Sequence, residues 1–489
     1  MKDACLRFSA KFSIFAEIHD YLMIRTEETI CAPATGAGGA IAVIRMSGSQ
    51  SLNICEKIFF PYDKKIKLSE QKGYSLIYGE IKKGEEVTDD VMVSVYRAPH
   101  SYTGENAVEI SCHASSYIQY NILELLLKNG AISAQPGEFT RRAFLNGKMD
   151  LLQAEAVADI IASSTAIAHK VAINQMRGGF SKEISNIRSQ LLHFASMIEL
   201  ELDFGEDDVE FADRIKLKEL IASTKTLSDK LASSFMLGNV IRNGIPVTIT
   251  GKPNSGKSTL LNTLLMEERA IVSEIPGTTR DTIEDTVVIE GIEYRFIDTA
   301  GLRVTSDIVE NLGIKKTHEK IDQASVVLFI DDIYDSAKSI NIRANEIRNL
   351  IRDSGKKLFI LINKIDQDSE GKVEMLSNKI ETKKTDTLLF ISAKERTGIE
   401  ELKQKLGEVI LKEKLSSDNV IITNIRHYEA LQNVSQSLGR VLTGLDNQIP
   451  EDFLAIDIRQ GIHYLGEITG EITSDEILGN IFKNFCIGK

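Results

Sequence analysis

Eight residues constrain this chain more than any others. Gly251-Lys252-Pro253-Asn254-Ser255-Gly256-Lys257-Ser258 follows the apolar run IPVTIT and leads into TLLNTLL, a strand, a glycine-rich loop and a helix in succession. Glycines let backbone N–H groups turn inward, and at a helix N-terminus such groups wrap phosphate. A loop of this kind belongs at the end of a strand in an open α/β sheet, so it dictates the fold around it. Residues 245–412 comply. IPVTIT, TVVIE, YRFID, SVVLFID, KKLFILI and TLLFIS alternate with helical stretches, which predicts a mostly parallel sheet covered on both faces.

Further motifs follow in order, at strand ends or in polar loops. Lys257 is placed to reach the β and γ phosphates, with the Ser258 hydroxyl on Mg²⁺ and Thr259 beside it. In Gly277-Thr278-Thr279-Arg280-Asp281 a threonine can cap the metal and sense the γ phosphate. Asp298-Thr299-Ala300-Gly301 ends YRFID: Asp298 can hold the metal through water, and the Gly301 N–H can bind the γ phosphate. Asn363-Lys364-Ile365-Asp366 ends KKLFILI, and its carboxylate can accept from guanine N1 and N2, a donor pair that adenine lacks. Ser392-Ala393-Lys394 ends TLLFIS and offers backbone N–H to guanine O6. Together the motifs specify GTP.

The residue after Gly301 is Leu302, where familiar switch GTPases carry a glutamine that positions the attacking water. Leucine cannot do this, which leaves Asp307 and Glu310 of the following helix as candidates. Spacing identifies no arginine finger, Arg280 and Arg303 being loop cations, so a monovalent cation could supply the missing positive charge.

The flanks read differently. Residues 24–146 carry β-branched runs such as AIAVIRM and DDVMVSVYRAP, then helical spacing in YIQYNILELLLKNG, which predicts an α+β domain. Residues 147–242 and 413–489 have helical periodicity and strong helix formers. They could be two domains, or one domain interrupted by the α/β segment. Net charge is −12, from 58 Lys and Arg against 70 Asp and Glu, which argues against nonspecific coating of nucleic acid. Arg141, Arg142 and Lys148 remain as local cations that could face RNA, a small ligand or a partner. The five cysteines, Cys5, Cys31, Cys55, Cys112 and Cys486, form no CxxC pair, which favours a reducing, cytoplasmic setting. No apolar run approaches the roughly 18–20 residues of a membrane span. Residues 1–23 read as an extension, not necessarily native, with Met23 an alternative start. His113 beside Cys112 is not a persuasive catalytic pair.

GAGGAIAVIRMSG, PHSYTGENAVEI, QPGEFTRRAFLNGKMDLLQAEAVADII and the terminal Cys486-Ile487-Gly488-Lys489 accompany the GTP motifs. In these the chain resembles the MnmE (TrmE) family of tRNA-modifying GTPases. The resemblance implies a multidomain protein: an α+β N-terminal domain that binds folate and dimerises, an all-α helical domain, and an inserted Ras-like α/β P-loop GTPase domain. It implies GTP hydrolysis coupled to modification of the wobble uridine of certain tRNAs. The C5 substituent would be a carboxymethylaminomethyl or aminomethyl group, installed with an FAD-containing MnmG-type partner in a heterotetramer or larger complex. By motif, Asn254, Ser273, Ile275 and Thr278 match potassium ligands, and Ser258 and Thr279 match magnesium ligands. The nucleotide contacts extend over Ser273, Glu274, Ile275, Pro276, Gly277, Thr278 and Thr279, and Glu310 matches the glutamate that orients water. Arg45, Glu109, Lys148 and Lys489 match positions that bind a 5-formyl or 5,10-methylene tetrahydrofolate. Cys486 is open to two readings, a nucleophile toward uridine or a packing residue near the folate. The alternative function is a GTP-switched ribosome or RNA assembly factor. Paired G domains or a GXXG-bearing KH module would favour it, and the sequence carries neither.

Overall fold

A computed structural model describes residues 28–36, 38–203, 214–268, 285–297, 320–351, 355–368, 371–384, 386–411, 421–483 and 485–488. They form two compact units, one drawn from residues 1–158 and 466–489, the other from residues 159–465.

The strands of the first unit are β1 (Ile30–Pro33), β2 (Ile41–Ser47), β3 (Phe59–Pro61), β4 (Ser75–Lys83), β5 (Glu86–Tyr96), β6 (Ala107–His113) and β7 (Ile132–Ser133). They make one sheet in the order β3-β4-β5-β6-β2-β1-β7, antiparallel except between β1 and β7. Side chains alternate in direction along a strand, so Ala42, Ile44 and Met46 of β2 are buried while Val43 and Arg45 between them are only partly so. With Val91, Val93 and Val95 of β5 and Val108 and Ile110 of β6, the buried row packs under α1 (Ser51–Glu56) and α2 (Ser116–Lys128). Each fully buried aliphatic side chain there contributes about 1.5–3 kcal/mol. Phe139 of α3 (Glu138–Leu145) packs on Ile30 and Ala32 of β1. Leu151 and Ala154 of α4 (Leu151–Ala162) form a separate cluster with Leu478, Phe482 and Phe485 of the C-terminal segment.

In the second unit α5 (Ala166–Met176), α6 (Gly179–Asp203), α7 (Arg214–Ser233) and α8 (Phe235–Asn243) precede a six-stranded sheet. Its strands are β8 (Ile245–Thr250), β9 (Asp285–Ile289), β10 (Ile292–Phe296), β11 (Val326–Asp332), β12 (Lys357–Asn363) and β13 (Asp386–Phe390). The order is β13-β12-β11-β8-β10-β9, and only β9 runs antiparallel to its neighbour. β11 is buried along its whole length, as a central parallel strand with both faces covered must be. α9 (Lys257–Glu268) packs on one face, and α10 (Ala337–Ile351) and α11 (Lys372–Lys379) on the other. α12 (Ile399–Leu411) joins α9 through Ile399, Leu402 and Leu406.

After the sheet come α13 (Ile425–Asp446) and α14 (Glu451–Thr469). α13 packs along α7, Phe235 stacks on Tyr428 with ring centroids 4.8 Å apart, and Gln175 Nε2 donates to the Ile421 carbonyl at 3.1 Å. Periodicity left open whether the helical blocks are separate, and this packing selects one helical layer into which the α/β segment is inserted. Among the described residues no helix is long and apolar enough to cross a membrane.

Candidate functional site

The chain leaves β8 toward β10 on one side and reaches β11 on the other, so a topological switch point lies between β8 and β11, where open α/β sheets place ligands. The loop from Gly251 to Gly256 occupies that point before α9 begins. Two glycines make its path possible. Gly251 has φ +151°, and a Cβ there would stand 2.0 Å from the Ile330 carbonyl of β11; at Gly256, with φ +104°, it would stand 2.1 Å from Asn363 Nδ2. Asn254 is exposed at a left-handed φ of 61°, a region asparagine enters more readily than most residues. The first N–H groups of α9 have no partner within the helix and carry its positive dipole end. Lys257 Nζ donates to the carbonyls of Gly251 at 2.9 Å and Lys252 at 2.6 Å, arching over the loop. Burial pushes the Lys257 pKa down, and an anion beside it would offset that. Ser255 is buried, Ser258 half-buried in the first turn and Thr259 exposed.

The segments 363–366 and 392–394 meet the same loop. Asn363, only 3% exposed, donates from Nδ2 to the Ser255 carbonyl at 2.8 Å and accepts at Oδ1 from the Ala393 N–H at 3.0 Å. It ties three loops together. Asp366 is exposed, and its Oδ1 accepts from Ser392 Oγ at 2.6 Å, which fixes the carboxylate plane. Lys394 is exposed beyond it.

One feature of this face was not anticipated from sequence. Asp331, Asp332 and Asp335 bring carboxylate oxygens within 4.8 Å of one another at the end of β11. Cations already meet them: Lys252 Nζ lies 3.1 Å from Asp332 and 2.8 Å from Asp335, Lys364 Nζ lies 3.0 Å from Asp332, and Arg343 binds Asp331 and Asp335. Burial pushes the Asp331 carboxyl up to about 6. Burial also opposes ionisation of Asp332, but hydrogen bonds from Lys364 and Lys252 hold it below the usual range. The doubled acid closing SVVLFIDD was the available signal, yet its partners are remote in sequence.

In the first unit, strand register sets Arg45 of β2 opposite Glu109 of β6. Arg45 Nε donates to Glu109 Oε1 at 2.8 Å, and Tyr96 OH donates to Glu109 Oε2 at 3.2 Å. Arg45 Nη1 donates to the Gly488 carbonyl at 3.2 Å, bringing the C-terminal segment to this pair. Its guanidinium lies over Tyr102, 5.5 Å from the ring centroid. These groups line a cavity of about 140 Å³ with Ser47, Ser101, Thr103 and Ala107. Sequence reading missed Tyr96 and Tyr102; alternation on β5 could have placed Tyr96 on the strand face opposite the buried Val95. Lys148 is exposed, donates to the Pro99 carbonyl at 3.0 Å and packs over Gly104, in the loop that carries Ser101 to Thr103. Cys486 is exposed in the same unit.

Arg142 departs from expectation. It is 2% exposed, clamped between Glu105 and Glu138 at 3.2 Å each, and donates to the Glu28 carbonyl. A guanidinium enclosed by two carboxylates is a structural tie, so it is not a cation facing RNA or a partner. Cys112 and His113 diverge as neighbours on a strand must: the thiol is buried, and the exposed imidazole meets Asp89 at 2.7 Å.

Several expected site residues lie outside the described residues: Ser273, Glu274, Ile275, Pro276, Gly277, Thr278, Thr279, Asp298, Thr299, Ala300, Gly301, Glu310 and Lys489.

Comparison with known proteins agrees with the geometry. The family model for the GTP-binding protein TrmE N-terminus matches residues 29–148, and that for the MnmE helical domain matches residues 151–486. Proteins described as tRNA modification GTPase MnmE are similar along nearly the whole chain. The Bacteroides thetaiotaomicron protein is 52% identical over 465 residues, 95% of this chain and 100% of that one. The Flavobacterium psychrophilum protein is 52% identical over 466 residues, 94% of this chain and 99% of its own. The Cytophaga hutchinsonii protein is 50% identical over 469 residues, 94% and 98% respectively. With the nucleotide loops at the switch point of its α/β sheet, an α+β N-terminal domain and one helical layer around the insertion, the chain belongs to the MnmE (TrmE) family of tRNA modification GTPases.

Proposed function

We propose that this chain is a potassium-dependent GTPase that works with an FAD-containing MnmG-type partner. Together they add a carboxymethylaminomethyl or aminomethyl group at C5 of the wobble uridine of certain tRNAs. The observation that carries the reading is the meeting of the Gly251–Ser258, Asn363–Asp366 and Ser392–Lys394 segments at one switch point, in a chain whose relatives are described as tRNA modification GTPases.

The residues have the following roles. Asp366, steadied by Ser392, accepts from guanine N1 and N2, and the Ala393 segment faces guanine O6. The loop N–H groups and Lys257 hold the phosphates. Ser258 and Thr279 would hold magnesium; Asn254, Ser273, Ile275 and Thr278 would hold potassium, all through oxygen donors that suit hard cations. The exposed, left-handed Asn254 fits that role, because its amide is open to solvent and free to meet an ion. These ions would supply positive charge against the developing phosphoryl oxygens. Glu310 would orient the attacking water in place of the glutamine that Leu302 replaces, Asp298 would hold the metal through water, and the Gly301 N–H would bind the γ phosphate.

Arg45, Glu109, Lys148 and Lys489 bind a 5-formyl or 5,10-methylene tetrahydrofolate that carries the one-carbon unit. The Arg45 cavity is smaller than the roughly 300–1,000 Å³ that encloses a drug-sized ligand, so it would receive one end of the molecule. The boundaries are 24–146 for the folate domain, 147–242 and 413–489 for the helical domain, and 243–412 for the G domain. The chain works as a homodimer in the cytoplasm. Exposed Phe60, Leu76 and Tyr78 on β3 and β4 are an apolar surface suited to self-association.

The test is nucleoside analysis of total tRNA from cells lacking this chain, complemented with the wild type or with Lys257→Ala. Loss of the modified wobble uridine, restored only by the wild type, is expected. Unchanged nucleosides in the deletion strain would overturn the reading.

A further inference from the structure

The carboxylate cluster at the end of β11 lies between the two loops that must grip opposite ends of a nucleotide. Asp332 is the member that touches both. Its Oδ1 accepts from Lys252 Nζ of the phosphate loop at 3.1 Å, and its Oδ2 accepts from Lys364 Nζ of the base loop at 3.0 Å. The carboxylate is held from behind. Tyr334 N–H donates to Oδ1 at 3.1 Å, the Asp332 N–H donates to Asp331 Oδ1 at 3.1 Å, and the Ile333 N–H donates to the Asn363 carbonyl at 3.2 Å. Asp332 is 4% exposed, so its charge is poorly screened and the two ammonium groups answer it directly. Asp331 and Asp335 are satisfied differently, by Arg343 of α10 and by Lys252.

We propose that Asp332 is a positioning residue for guanine nucleotides, a two-pronged tie that fixes the distance between the phosphate loop and the base loop. The proposal rests on the reading of this face as the GTP site. A tie between loops acts on ligands that span both of them. It should therefore strengthen GTP and GDP binding by the same factor, and do little for a ligand that engages the phosphate loop alone. Because it works equally on ground state and transition state, it appears in KM and leaves kcat alone.

The test uses the full-length protein with Asp332→Asn, which keeps the shape and removes the charge. GTP and GDP affinity, inhibition by inorganic tripolyphosphate and GTP turnover are measured beside the wild type. The expected result is a rise of about tenfold in KM for GTP and in Kd for GDP, the scale of one weakened charge-assisted contact. Tripolyphosphate inhibition and kcat should stay within twofold. Equal weakening of GTP and tripolyphosphate, or a lower Tm with unchanged KM, would mark the cluster as a purely structural ion pair and overturn the proposal. Should Asp332→Asn fail to fold, Asp332→Ser removes both prongs with a smaller side chain, and the same split between GDP and tripolyphosphate decides the matter. A wild type that binds no GTP would refute the GTP site itself, an outcome distinct from failure of the tie.

Discussion

The nucleotide face and the Arg45 cavity are assembled in opposite ways. Each segment of the first is contiguous: 251–258, 363–366 and 392–394 each follow a strand end, and neighbouring parallel strands bring those ends together. The cavity draws Arg45 from β2 and Glu109 from β6, and Arg45 in turn donates to the Gly488 carbonyl of the C-terminal segment, 443 residues away. Local chain geometry builds the first site, while sheet register and docking of the chain end build the second. The lesson is that the two should fail separately, each to a different kind of damage.

The largest expected effect separates them directly. Phe482 is 2% exposed and packs with Leu151, Ala154 and Phe485. Phe482→Ala should cost about 3–5 kcal/mol in the first unit, seen as an earlier unfolding transition. Binding of 5-formyl-tetrahydrofolate should fall with it while KM for GTP stays put. A parallel loss of GTP affinity would break the contrast.

Damage confined to hydrolysis sharpens it from the other side. Glu310→Ala should leave GTP and folate affinity nearly intact while single-turnover hydrolysis falls by roughly 10²–10³-fold, the scale of one lost transition-state group. Wild-type hydrolysis should also slow when sodium replaces potassium. Equal rates in both salts, with normal turnover by the variant, would leave that mechanism without support.

The smallest effect concerns thiols. Burial pushes Cys31 and Cys112 up to about 11 and Cys55 to about 12, whereas Cys486 is exposed near the chain end. Thiolate is the reactive form, so iodoacetamide at pH 8 should modify the Cys486 peptide and spare those three until the protein is denatured. Comparable labelling of Cys112 in the native protein would show that the sheet core is not closed.

Legibility followed the same division. The runs that became β11 and β12 read as buried parallel strands because both faces of such strands are apolar, and the phosphate loop announced itself through glycines whose Cβ atoms would strike Ile330 and Asn363. The Asp332 tie was invisible because Lys252 and Lys364 stand 80 and 32 residues away. Arg142 was misread for a related reason. Nothing local distinguishes a solvated arginine from one enclosed by Glu105, 37 residues earlier, and by Glu138 of its own helix. Arg45 and Glu109 were singled out one by one, through family resemblance; that they pair with each other was not legible, since only the register of β2 on β6 brings them together.

Guanine recognition by Asp366 can be measured in one calorimetric experiment. Asp366→Asn exchanges one of the two acceptors for a donor, which opposes guanine N2 but suits the C2 carbonyl of xanthine. GTP binding should weaken by roughly 2–4 kcal/mol, with XTP gaining relative to GTP. Unchanged GTP affinity in Asp366→Asn, with no gain for XTP, would contradict the placement of the base against this carboxylate.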